Sequence, residues 1–288
     1  MNEAIQFLAP PFVMCLVIAS LTVYLGMHVL AREVIFVDLS LAQLAALGAT
    51  VAAIFGAEDE GYAAPLTAFG FTVGGAVIFA FTRRVRRHVS QEAIVGITYA
   101  VASAVTVLAL ANSPHGAEHL KDILVGSLLL TEWSRVWQTA LAFTALGVLQ
   151  LVLARRFIRL SWQPDEAERT GKLVDLWDFV FYLLFGIVIT LSVRVAGILL
   201  VFSFLIVPAV ITRLFSDSIL KRLIAGWAVA VLASCVGLAG SWHWDLPTGA
   251  TIVTAFGLLL IVAGVVRGFI GLTRRAPSAS AATAAPET

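Results

Sequence analysis

Asp38 is the side chain here whose setting most calls for a chemical explanation. It stands in Val34-Ile35-Phe36-Val37-Asp38-Leu39-Ser40-Leu41-Ala42-Gln43, at the start of a long apolar run. An ionisable group inside such a run is costly, and it usually faces a bundle interior or a water-filled route. Helical spacing places Ala42, Ala45, Ala46 and Ala49 on its face, and small residues let neighbouring helices approach closely. Ser40, Gln43 and Leu47 form the adjacent stripe. A second reading stays open: a carboxylate near the membrane edge, satisfied by Arg32 or by the backbone amides of the helix start.

The next candidates lie in Ser113-Pro114-His115-Gly116-Ala117-Glu118-His119. On a helix, His115, Glu118 and His119 share one face. Imidazoles and a carboxylate suit zinc-like cations. The string also fits H-x-x-E-H, the inverted zinc-protease motif. Ser113 and Pro114 read as an N-cap and first helical residue, which puts His115 in a first turn beside Gly116 rather than on a rigid helix. A merely polar outer loop, a transient metal contact and an intramembrane protease are the three readings. His243 and Asp245 sit between tryptophans, Trp242 and Trp244, that read as interfacial anchors. His28 and Glu33 flank the first inner loop and are expected to hydrogen-bond locally. Pro208 removes a backbone hydrogen bond inside an apolar span, so a kink or interruption is expected there, with Ser203 available for a freed carbonyl.

These groups must be positioned by membrane helices. The chain of 288 residues is 60% hydrophobic and 13% charged, against about 25% charged in ordinary soluble domains; its mean hydropathy is +0.95. A spanning helix needs about 20 apolar residues. Nine stretches qualify: 7–30, 35–56, 62–82, 93–112, 134–155, 176–193, 196–214, 219–240 and 248–268. The division at 192–197 reads as a tight hairpin or as one broken helix. Ile123–Leu130 is too short to span and is expected to be re-entrant or interfacial. The fold class is therefore all-α, a polytopic transmembrane bundle over 1–275, with a small polar tail, 276–288, expected to be disordered.

Basic residues set the orientation. Arg32, Arg83, Arg84, Arg86, Arg87, Arg155, Arg156, Arg159, Arg169, Lys172, Arg213, Lys221, Arg222, Arg267, Arg274 and Arg275 fall on one face; Lys121, Arg135 and Arg194 fall on the other. The N-terminus is then outside and the C-terminus cytoplasmic. The net charge of +1 is spread in short clusters, giving no nucleic-acid surface. Cys15 and Cys235 lie in apolar stretches and make no disulfide framework. The longest inner loop, 157–175, carries a helix-start signal at Pro164-Asp165-Glu166 and a stop at Gly171; it is either a solvated connector or a docking helix. With no Walker A string, GxSxG elbow or dinucleotide fingerprint, uphill transport must draw on an ion gradient or a separate ATPase.

Four segments, read together, bear a family likeness. They are Arg32–Gly48, Glu92-Ala93-Ile94-Val95-Gly96-Ile97, Asp122–Leu128 and Ser192–Ala209, the last with Gly197, Ser203 and Pro208. The chain resembles the ABC-3 family, the membrane subunits of bacterial ABC importers for zinc, manganese and iron. The resemblance implies a transport subunit rather than an enzyme, in the bacterial cytoplasmic membrane, working as a homodimer. It implies cytoplasmic ABC ATPase subunits, a periplasmic or lipoprotein metal-binding protein, and no permanent cofactor. It casts 157–175 as the coupling element, with Pro164, Asp165, Glu166 and Gly171 meeting the ATPase. Asp38 matches an acidic metal contact of the family. Many members carry a histidine one turn later; here that place is Ala42, followed by Gln43. Zinc is the expected cargo, with manganese and iron next. An ion-gradient transporter and the protease are the competing classes.

Overall fold

The computed structural model describes residues 2–55, 62–82, 89–111, 124, 126–164 and 173–275, with only the backbone at 2–5 and 271–275. Among these residues nine helices are long and apolar enough to cross a membrane. They are α1 (Asn2–Arg32), α2 (Val37–Ile54), α3 (Ala63–Thr82), α4 (Gln91–Leu110), α5 (Trp133–Trp162), α6 (Val174–Ala196), α7 (Ile198–Phe215), α8 (Ile219–Trp244) and α9 (Thr248–Arg275). Helix is the outcome that hydrocarbon demands, because each backbone amide must find its partner inside its own segment. The spans match the apolar stretches read from the sequence to within a few residues, except at the inner ends of α5 and α9, each of which runs further.

That helix runs on to Trp162, so the connector to α6 is 163–173 rather than 157–175. The arginines at 155–159 read as loop because they are polar, yet the same two turns bury Phe157, Leu160 and Ser161. Arg156 lies over the Trp177 ring, 4.1 Å from its centroid. Helical turns that leave the membrane keep an apolar face against a neighbour and let long basic side chains reach water. Asp165, Glu166 and Gly171, expected to meet the ATPase, and the 276–288 tail, expected to be disordered, lie outside the described residues.

Packing sorts the helices into two groups. α2 packs on α3 and α4, and α6 packs on α3 and α2. α1 packs on α7, α5 and α8, while α9 packs on α8 and α7. Contacts of α6 with α5, α7 and α1 join the groups. Their interior is aromatic: Phe157 and Phe181 meet edge to face at 5.4 Å, as do Phe204 and Phe256 at 5.0 Å. α1 and α7 come so close that a Cβ on Gly26 would collide with the backbone carbonyl of Leu205.

The region around 192–197 is a one-residue break. α6 ends at Ala196, Gly197 takes φ 76° and ψ 162°, and α7 starts at Ile198. The two helices pack chiefly on different neighbours. The described end of the 123–130 segment is a 3-10 turn, Leu128–Leu130, and the two residues before it meet this break. The Ser127 N–H donates to the Val195 carbonyl at 3.2 Å. Gly126, at φ 71°, lies so near Ala196 and Gly197 that no side chain fits. By contrast, α7 is continuous through Pro208. The hydroxyl of Ser203 donates to the Leu199 carbonyl at 2.9 Å, one turn before the carbonyl that Pro208 leaves free, so Ser203 does not repair the proline.

Candidate metal site

Asp38 occupies the first turn of α2 and is only 2% exposed. Backbone amides of its own residue and of Leu39 face its carboxylate, as expected at a helix start, whose first amides lack intrahelical partners. Its Oδ1 has no hydrogen-bond partner among the described residues. Arg32 does not satisfy it, because that guanidinium is held elsewhere: NH1 donates to Asp178 Oδ1 at 2.9 Å and Nε to Ser161 Oγ at 2.8 Å. The reading of Asp38 as a partner of Arg32 is thus corrected.

The group that does face Asp38 is another acid. Glu92 lies in the first turn of α4, next to the N-cap Ser90, whose Oγ accepts the Ala93 N–H. Its Oε1 accepts the Phe36 N–H at 3.3 Å, which ties α4 to the residue before α2. Its Oε2 is buried and lacks a partner among the described residues. The Glu92 charge acts on Asp38. Ser40 locks the two helices in register by donating to the Val95 carbonyl at 3.1 Å. Two carboxylates, each with one buried oxygen unpartnered among the described residues, thus stand in the first turns of α2 and α4, helices that Ser40 ties together. Burial makes such carboxylates costly to keep charged, and a divalent cation beside them would favour the charged form. The sequence shows Glu92 as part of a motif but assigns it no role, since an acid in a first helical turn is ordinary.

Ala42 and Gln43 are both buried, Gln43 at 4% exposed and on the Ser40 face of α2. A polar cavity of about 400 Å³ adjoins the site, lined by Arg32, Glu33, Glu92, Pro164, Asp178 and Tyr182 among others. His28 bonds not locally but across the bundle: its Nδ1 lies 2.8 Å from Ser161 Oγ. His243 and Asp245 are exposed beside Trp244. His115, Glu118 and His119 lie outside the described residues. Among those described, no group of three or more His, Cys, Asp or Glu is gathered to hold a metal ion.

A family model, the ABC 3 transport family, matches residues 4–267. The chain belongs to the ABC 3 transport family. Within that family it is 24% identical to the manganese transport system membrane protein MntB of Synechocystis, over 68% of this chain and 63% of that protein. It is 28% identical to the chelated iron transport system membrane protein YfeD of Yersinia pestis, over 61% of this chain and 59% of the relative. Each of these two matches thus spans less than two thirds of the relative's length. The fold matches PsaBC from Streptococcus pneumoniae in complex with Fab, with TM-score 0.77, 17% identity, and 94% of this chain and 98% of that one covered.

Proposed function

We propose that this chain is the membrane-spanning permease subunit of an ABC importer for a divalent metal cation, with manganese or iron ahead of zinc. The observation that carries the proposal is the pair of unpartnered buried carboxylate oxygens, on Asp38 and Glu92, in a chain of a transport family. Zinc is the expectation that the outer histidines raise. The described site offers oxygen alone, and carboxylate oxygens suit manganese better than soft-ligand metals. Names of relatives that specify manganese and iron support the same choice.

In this reading a metal-binding protein delivers the cation at the outer face, where His115, Glu118 and His119 make passing contacts. The cation then reaches the inner ends of α2 and α4, where Asp38 and Glu92 replace part of its water shell and Gln43 borders the route. Binding must be favourable enough to draw the ion in and weak enough to release it, which two carboxylates meet better than a closed four-ligand cage. ATPase subunits bind at the connector, through Pro164, Asp165, Glu166 and Gly171, and switch access to the route. Ser203 and Pro208 belong to α7, which shapes the route beside α2. The chain pairs with a second copy in the cytoplasmic membrane of a bacterium, among lipid, and hydrolysis belongs to the ATPase.

Competition between metals tests the cargo. Cells expressing the complete transporter should take up manganese or iron, with uptake suppressed by an excess of the other of these two and much less by zinc at equal concentration. Uptake of zinc alone would refute the ranking.

A further inference from the structure

Arg32 is the last residue of α1, and its side chain reaches both helices that lead into the 163–173 connector. Ser161, which accepts its Nε–H, is in the last turn of α5; Asp178, which accepts from NH1, is in the second turn of α6. The ion pair is buried, with side chains 8% and 5% exposed. The guanidinium lies 3.9 Å from the centroid of the Phe181 ring. Ser161 is shared with His28, and the His28 ring packs against Trp162 at 4.9 Å. One arginine therefore clamps α1 to both flanks of the connector.

Stability alone does not explain this arrangement. A buried ion pair adds little over well-packed apolar residues of the same size, and its better-attested use is to fix one arrangement among several. The turn between α1 and α2 supplies the reason. Glu33 takes the left-handed conformation at φ 57°, which a non-glycine residue holds only when its surroundings impose it. Val34 then folds back, its N–H donating to the Val29 carbonyl at 3.3 Å. Phe36 donates to Glu92, and the first turn of α2 comes next, with Asp38. Arg32, Glu33, Glu92 and Pro164 all border the same cavity.

We infer that Arg32 is a positioning residue that couples the inner ends of α5 and α6 to the Asp38–Glu92 pair. A shift of the connector carries Ser161 and Asp178 with it; Arg32 moves with them, and the short imposed turn at Glu33–Phe36 passes the shift to the first turn of α2 and to Glu92. The inference rests on the reading of the connector as the ATPase contact.

The test uses the complete transporter in proteoliposomes, with metal moved and ATP hydrolysed measured together. Arg32→Met combined with Asp178→Leu removes both charges and keeps the bulk, a replacement that buried pairs often tolerate. The ATPase should still bind and hydrolyse ATP at near the wild-type rate, while metal moved per ATP falls about tenfold, the scale of losing a hydrogen bond between charged groups. A wild-type ratio in the double variant would overturn the inference. Should that variant fail to assemble, Ser161→Ala removes one acceptor and spares the ion pair. A lowered metal-to-ATP ratio then supports the coupling role, and an unchanged ratio refutes it. Failure of the connector reading has a different signature: the wild-type chain would not bind the ATPase, or connector variants at Pro164 and Glu166 would leave binding intact.

Discussion

At the scale of single residues, the chemistry turns on which buried groups lack partners. Asp38 is legible in the sequence because a charge inside an apolar run has no ordinary explanation. Its companion is not, because Glu92 stands beside a serine N-cap, where acids are commonplace. Nor can the sequence assign Arg32. Its acceptors lie 129 and 146 residues away, and no local spacing rule reaches that far. If Asp38 and Glu92 share one cation, they act as a unit. Asp38→Asn and Glu92→Gln should each lower uptake roughly tenfold or more at normal expression, the order of one lost charged contact. The double variant should lose little beyond the worse single, because residues that act together are not additive. Fully multiplicative losses in initial uptake rates would separate their roles.

At the scale of elements, the spans can be read from hydropathy, since the bilayer sets their length. What hydropathy misses is decided by packing. α5 outruns its apolar stretch because Phe157 and Leu160 are buried against neighbours. The break near α7 is at Gly197 rather than Pro208, because a residue held at positive φ interrupts a helix while a proline can be carried within one. Close approach at Gly26 and Gly126 is equally invisible to a hydropathy profile. Gly26→Ala and Gly126→Ala each place a Cβ against backbone, and each should cost about 1–3 kcal/mol of stability. Thermal unfolding of the purified protein in detergent should show lowered midpoints for both. Gly96→Ala, where a Cβ meets nothing within 4 Å, should leave the midpoint unchanged or raise it. Equal midpoints for all three would mean that these contacts do not set the packing.

For the whole molecule, the charge pattern and the fold agree. Arg32, Arg159 and Arg213 stand in last turns, at the ends of α1, α5 and α7. The clamp on the connector, the cavity and the two carboxylates gather at that same end. On the proposed reading the ATPase acts at this end, with Arg32 at the connector, Glu33 at the turn, and Asp38 with Glu92 on the route of the cation. The measurement that tests this most directly is manganese uptake into proteoliposomes containing this chain with its ATPase and binding protein. Uptake should require ATP and all three components, persist when ion gradients are collapsed, and fall about tenfold with Asp38→Asn. Uptake that tracks an imposed ion gradient without ATP, or that is indifferent to Asp38→Asn, would contradict the account.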